Sequence, residues 1–201
     1  MIPKVDGLAK RSCDGEGICS RIDSIGSDRA QKLRAMSDLT LALVPQGAAD
    51  QAAIEKLDER VFGPGRFARS AYRLREGVPP DLSLSYVARV GRLLVGANRM
   101  TPIRCGGKPA LLLGPLSVEP AFRSAGIGEA LVMKSLEAAR AAGHHLVLLV
   151  GDMSYYGRMG FEPVPEGRLA FPGPVDPQRL LYCALTKGAF DGVSGWVTRA
   201  V

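Results

Sequence analysis

The chain has 201 residues, 46% of them hydrophobic, which is enough apolar material for one domain with its own core. Its net charge of +6 is scattered, without the basic stripe and interleaved aromatics of nucleic-acid binders or the basic amphipathic helix of membrane-surface binders. No apolar stretch reaches the roughly 18 residues that a transmembrane helix needs. Two explanations of the charge stay open, which are ordinary solubility and the binding of an anionic ligand.

Cysteine usage predicts a reduced cytoplasmic protein without a metal. Cys13 and Cys19 lack a zinc-knuckle spacing, and the other two cysteines stand far apart. The only histidines are the adjacent pair His144 and His145, which cannot complete a familiar metal site, and the first residues lack the apolar segment of a signal peptide.

Residues 1–38 differ in pattern from the rest of the chain. They mix both charges with Gly and Ser and show no apolar period, so we predict a mostly disordered N-terminal extension. Met36 stands where the patterned chain begins and is an alternative start. Residues 39–201 are the predicted folded domain.

The elements of the first half are predicted to be a strand, two helices and a three-stranded meander. The strand covers residues 39–44, and Asp50 is placed to cap a helix whose apolar face carries Ile54, Leu57 and Val61. A second short helix is expected over residues 66–75. The meander strands are expected at residues 84–90, 93–103 and 110–118.

One proline interrupts the last meander strand. Pro115 cannot donate a hydrogen bond to a neighbouring strand, so we expect the strand to bulge or splay there.

The second half begins with the clearest helix, over residues 128–142, followed by an apolar strand at 145–150. Strand, glycine loop, helix and strand in this order predict a βαβ unit with parallel strands. A short helical segment over residues 154–159 and strands at 168–171 and 179–185 complete the prediction.

The run from Val118 to Gly128 reads VEPAFRSAGIG and joins a strand to a helix N-terminus. The first amides of a helix lack internal partners, and glycine lets a phosphate approach the backbone, so Gly126 and Gly128 predict a pyrophosphate site. A Rossmann fingerprint and a Walker loop are both excluded, because the third glycine and the Gly-Lys-Ser/Thr sequence are missing. A simple glycine turn is the competing interpretation.

This run resembles motif A of the Gcn5-related N-acetyltransferase (GNAT) superfamily. The run from Gly151 to Phe161, GDMSYYGRMGF, resembles motif B of the same superfamily, and its form is similar to the predicted bacterial acetyltransferases of the YhbS type. Motif order and separation match as well. The resemblance covers residues 39–190 and is specific over residues 111–161.

The resemblance implies an α/β (α+β) fold, with a central mixed, mostly antiparallel sheet of six or seven strands that is splayed at the cofactor site and flanked by helices. It implies an enzyme that moves an acetyl group from acetyl-coenzyme A (acetyl-CoA), without a metal, to a primary amine on a small molecule or a peptide. A homodimer is common among relatives. The alternative is a non-catalytic module that binds or senses acyl-CoA.

The resemblance also assigns site residues. Tyr156 is the candidate general acid at the coenzyme sulfur. The backbone of Leu116, Ser117 and Val118 is expected to bind the pantetheine arm, and the pyrophosphate is expected on Arg123, Ser124, Ala125, Gly126, Ile127 and Gly128.

The acceptor half of the site is less well defined by the sequence. Glu119 and Asp152 are the nearest carboxylates to the motifs, and neither is assigned as the general base. The spacing of Arg66, Arg69 and Arg73 predicts that they share one helix face. Such a face can bind an anion, but it is more commonly a solvated surface.

Overall fold

The structure is a computed structural model and describes residues 40–200. The predicted N-terminal extension, residues 1–38, lies outside the described residues, as do Leu39 and Val201. The boundary between extension and domain therefore stays a prediction. Within residues 40–200, no helix is both long and apolar enough to cross a membrane.

Nine strands form the sheet in the described part of the chain. Their bounds are β1 Leu41–Pro45, β2 Tyr86–Val90, β3 Leu93–Cys105, β4 Lys108–Val118, β5 Leu146–Val150, β6 Glu162–Pro163, β7 Leu169–Ala170, β8 Leu180–Ala184 and β9 Gly195–Arg199. The order is β1-β2-β3-β4-β5-β8-β6, with β9 on β3 and β7 on β9. Pairing is antiparallel except for β4–β5 and β7–β9. The predicted mixed, mostly antiparallel sheet is confirmed, with more strands than expected.

The helices are α1 Gln51–Phe62, α2 Ser70–Arg73, α3 Ile127–Ala141 and α4 Met153–Tyr156. The prediction of one helix over residues 66–75 is wrong. A 3-10 turn, Pro64–Ala68, is separated from α2 by Arg69, which is extended at φ −70° and ψ 132°. The Asp50 side chain does not cap α1 but accepts from the Gly47 amide at 2.9 Å and pairs with Arg89.

Two helices cover opposite faces of the sheet and bury its core. Ile54 and Leu57 of α1 pack on Val87 of β2. α3 packs on Tyr86 and Ala88, the residues on either side of Val87 in the same strand. Alternate residues of a strand point to opposite faces, so α1 and α3 lie on different sides.

β4 and β5 separate where the predicted bulge lies. Asn98 of β3 pairs with Leu116, and Met100 pairs with Leu113, so two residues of β4, Gly114 and Pro115, lie opposite one residue of β3. The bulge expected at Pro115 is confirmed. β4 pairs with β5 only at Leu111 and Leu112. Beyond Leu112, this edge of β4 has no strand partner among the described residues, and the sheet opens.

Candidate functional site

Three neighbouring cavities follow the opening between β4 and β5. The loop cavity, about 640 Å³, lies at the N-terminus of α3 and shares Tyr155 with the strand cavity. The strand cavity, about 520 Å³, lies between residues 113–116 of β4 and residues 150–152. It shares Phe62, Arg75 and Pro115 with the α1 cavity, about 830 Å³, which lies beside α1. The three cavities provide room for one long ligand and a second reactant beside its end.

The loop cavity is built on the first turn of α3. Gly126 precedes the helix with φ 74°, a left-handed conformation that favours glycine, and a side chain there would face open space. Ser124 also has a positive φ, 67°. The amides that begin α3 have no partner within the helix, and the helix dipole is positive there. Of the predicted pyrophosphate residues, all but Ala125 line this cavity, and so does Val118; the lining members are Arg123, Ser124, Gly126, Ile127 and Gly128.

Gly128 also makes room for a neighbouring tyrosine, in addition to its expected place at the pyrophosphate site. A side chain at Gly128 would overlap the Tyr155 hydroxyl, so this glycine provides the space for Tyr155. The Arg158 guanidinium lies 4.8 Å from the centre of the Tyr155 ring and 3.4 Å from the Glu129 carboxylate. Arg158 therefore brings positive charge to the rim of the loop cavity.

Tyr156 lines the strand cavity. Its ring packs edge-to-face on Tyr155 and Phe161, with centroids 4.9 and 5.7 Å apart, and a side chain at Gly151 would overlap it. Burial, with smaller contributions from Tyr155 and Asp152, raises the pKa of Tyr156 above its usual value of 10.0. The phenol is therefore neutral at physiological pH and available as a hydrogen-bond donor.

The two predicted pantetheine residues of β4 beside the bulge face different neighbours. Leu116 lines the strand cavity. Ser117 is fully buried, and its hydroxyl donates a hydrogen bond to the carboxylate of Asp58 on α1. Its side chain is thus engaged, which leaves the backbone of this segment for a ligand.

Asp58 is the carboxylate that the sequence reasoning missed. It lines the α1 cavity and is only 6% exposed. Burial raises the pKa of Asp58, and the hydrogen bond from Ser117 and the charges of nearby arginines, Arg99 first, partly oppose this shift. One signal was available, because Asp58 follows Ile54 by four residues and shares the apolar face of α1.

The two carboxylates nearest to the motifs in sequence pair with arginines. Glu119 accepts from Arg60 at 2.8 Å. Asp152 lies 3.1 Å from Arg179, and both line the strand cavity, where the Asp152 side chain is 69% exposed. Neither lines the α1 cavity.

The three arginines expected on one helix face point to different surroundings. Arg66 lines the α1 cavity, Arg69 lines the strand cavity, and Arg73 donates to the Pro172 carbonyl at 3.1 Å. The prediction that they share one helix face is therefore wrong, because the chain is extended at Arg69.

Two other arginines, Arg75 and Arg99, are partly buried cations of the site, and both line the α1 cavity. Burial lowers the pKa of Arg75 to about 10. Among the described residues, Nε of Arg75 and Nε and Nη2 of Arg99 are buried without a hydrogen-bond partner. Within residues 40–200, no group of three or more His, Cys, Asp and Glu side chains is arranged to hold a metal ion.

The comparisons with known proteins agree on one family. Residues 81–163 match the family described as "Acetyltransferase (GNAT) domain". The chain is 31% identical to the uncharacterized N-acetyltransferase YjhQ of Escherichia coli K12 over 130 residues, which are 63% of this chain and 71% of YjhQ. It is 27% identical to the uncharacterized N-acetyltransferase YhbS of the same strain over 150 residues, 74% of this chain and 89% of YhbS.

Solved structures show the same fold. The crystal structure of E. coli YhbS in complex with CoA superimposes with a TM-score of 0.69 at 25% identity, covering 80% of this chain and 90% of YhbS. A GNAT family acetyltransferase from Brucella melitensis in complex with acetyl-CoA superimposes with a TM-score of 0.53 at 29% identity, covering 76% and 99% of the two chains.

Proposed function

Because this chain belongs to the GNAT acetyltransferase family, we propose that it transfers an acetyl group from acetyl-CoA to a primary amine of a small molecule or a peptide. The observation that carries the proposal is the series of three cavities, which runs from a helix N-terminus, along an unpaired strand edge, to a buried carboxylate. The first two suit a long anionic donor, and the third suits an acceptor.

The donor is proposed to lie along the loop and strand cavities. The pyrophosphate binds the amides of residues 123–128, where Gly126 leaves the approach open and the helix dipole favours an anion. The pantetheine arm follows the edge of β4 at residues 116–118, which has no strand partner on that side among the described residues. The relatives solved with CoA and acetyl-CoA support an acyl-CoA as the donor.

The proposed reaction is a direct attack on the thioester. The neutral amine forms a C–N bond with the acyl carbon, the C–S bond breaks, and the electron pair leaves with sulfur as the thiolate of CoA. The amine nitrogen loses a proton, and the thiolate regains one, so an amide and the free thiol are the products. Catalysis therefore needs a proton acceptor on the amine side and a donor at the sulfur.

Tyr156 is proposed as the donor at the sulfur. It lines the strand cavity beside the edge of β4, where the end of the pantetheine arm is placed. A free thiol has a pKa of about 8.5, below that of a buried phenol. Because the pKa of Tyr156 is raised, it stabilises the leaving thiolate by a hydrogen bond, and the thiolate takes the proton that completes the thiol from solvent as the product leaves.

Asp58 is proposed as the proton acceptor. Its hydrogen bond to Ser117 fixes it beside the segment of β4 that binds the donor, and it faces the α1 cavity where an amine has room. Its raised pKa makes it a better base than an ordinary aspartate.

The test is the release of free thiol from acetyl-CoA by the purified protein with a panel of amines. Thiol release that depends on an amine and forms the matching amide supports the proposal. Binding of acetyl-CoA without release for any amine contradicts it and favours a non-catalytic acyl-CoA-binding module. The cytoplasmic location and the homodimer stay predictions.

A further inference from the structure

The α1 cavity is lined by buried polar atoms that have no hydrogen-bond partner among the described residues. Arg99 presents two nitrogens, Nε and Nη2, and Arg75 one, Nε, none with an acceptor among the described residues, and Gln46 presents a side-chain oxygen without a donor. All three side chains line the cavity. Buried polar groups without partners are rare in native proteins, because each costs about 1–3 kcal/mol. Their concentration in one cavity indicates a ligand with both an acceptor group and a donor group.

The charges of the cavity favour an anionic acceptor group. Arg66, Arg75 and Arg99 line it together with the carboxylates Asp58 and Glu55, so positive charge exceeds negative charge by one. Arg66 already donates to the Gly63 carbonyl, and Glu55 accepts from Gln51. These bonds to neutral groups keep the charges but occupy the two side chains, whereas Arg75 and Arg99 retain unpaired donors for an anion.

Arg99 is the better placed of the two to select an acceptor. It lies on β3 opposite the two-residue bulge at Gly114 and Pro115, at the point where the sheet opens. It lines the α1 cavity alone, whereas Arg75 lines the strand cavity as well and so also faces the donor. A guanidinium binds a carboxylate through two parallel hydrogen bonds.

We propose that the acceptor is an amine that also carries a carboxylate, as an amino acid does, with the carboxylate held by Arg99 and the amine placed between Gln46 and Asp58. This inference rests on the proposed function and names its substrate class. Polycationic acceptors such as polyamines are disfavoured, because they bring further positive charge to buried arginines and leave their N–H groups unpaired.

The experiment compares matched acceptors in the thiol-release assay. Phenylalanine is paired with phenethylamine and lysine with cadaverine, and an aminoalkylphosphonate tests whether a phosphonate replaces the carboxylate. Loss of a charge-assisted hydrogen-bond pair lowers kcat/KM roughly ten- to hundredfold, so each acid should exceed its decarboxylated partner by that factor. A phosphonate preferred over both carboxylates would contradict the assignment of a carboxylate.

Variants of Arg99 link the preference to the residue. In Arg99→Gln the acid-to-amine ratio should fall towards one, and Arg99→Lys should restore part of it. Arg92→Gln, an equal loss of charge at an exposed turn position, should leave the ratio unchanged. An unchanged ratio in Arg99→Gln, or equal rates with acids and plain amines in the unmodified protein, would overturn the inference.

Acetyl-CoA affinity, measured by calorimetry on each variant, separates this inference from the proposed function. A protein that binds acetyl-CoA and acetylates plain amines as well as acids keeps its proposed function and loses only the acceptor class. If a variant of Arg99 fails to fold, the paired acceptors with the unmodified protein decide the question alone.

Discussion

Tyr156 and Asp58 reach the proposed reaction centre from separate parts of the chain. Tyr156 lies in a contiguous motif, and the sequence alone identified it as a candidate. Asp58 lies on α1, Arg99 on β3 and Arg75 in the turn after α2, and only the folded chain brings them to one cavity. In sequence only Asp58 carries a signal, its place on the apolar face of α1, and nothing connects it with Arg75 and Arg99, which is why the acceptor half of the site was not predicted.

Tyr156→Phe tests the donor at the sulfur. The change removes one hydroxyl and keeps the ring that packs on Tyr155 and Phe161. We expect kcat to fall roughly 100-fold, at the lower end of the range for acid–base groups, with the Kd for acetyl-CoA nearly unchanged. Tyr182→Phe, which removes a hydroxyl bonded to Glu162 outside the three cavities, is the matched control. An unchanged single-turnover rate in Tyr156→Phe would refute the role.

Asp58→Asn tests the base through its pH dependence. Asp58 accepts a proton only when ionised, and its pKa is raised above 3.8, so kcat/KM should rise with pH through that raised pKa. The amide keeps an oxygen for the Ser117 hydroxyl but cannot take the proton. We expect a loss of roughly 100-fold or more in kcat and the disappearance of this limb of the pH profile.

Glu119→Gln is the control for the same experiment. Glu119 is a carboxylate beside the donor loop, but it pairs with Arg60 and does not line the α1 cavity. Its pH profile should match that of the unmodified protein. A lost limb in Glu119→Gln and a retained limb in Asp58→Asn would move the base to Glu119.

At the scale of elements, strong local patterns were predicted well and weak ones were not. The apolar period and flanking glycines placed α3 within one residue at each end, since Ile127–Ala141 replaces the expected 128–142. The expected helix over residues 66–75 is broken at Arg69, and the strands β6 and β9 were missed. β9 is short, only Val197 of its five residues is buried, and its pairing with β3 depends on contacts distant in sequence.

Gly126→Val tests the element that binds the pyrophosphate. A β-branched residue at φ 74° is strained, and its side chain occupies the approach to the first amides of α3. We expect calorimetry to show at least a tenfold loss of acetyl-CoA affinity. Gly107→Val, with φ 83° and equally open surroundings in the β3–β4 turn, carries the same strain away from the site. Equal affinities in the two variants would contradict the loop assignment.

At the scale of the whole molecule, the opening of one sheet arranges both reactants. The bulge at Pro115 and the short pairing of β4 with β5 create the strand cavity, and α1 on one face supplies Asp58 to the adjoining α1 cavity. The bulge and the parallel βαβ unit were both predicted from sequence. The way in which three cavities meet at Phe62, Arg75 and Pro115 was not, because it depends on side chains from several elements.

The central claim is that residues 118–128 and the opened edge of β4 bind an acyl-CoA. Isothermal titration of the purified protein with acetyl-CoA, ADP and NAD tests it most directly. We expect saturable binding of acetyl-CoA and weaker binding of ADP and NAD, which offer the adenosine pyrophosphate end but no pantetheine arm. Absence of heat with acetyl-CoA, or tighter binding of NAD, would contradict the account.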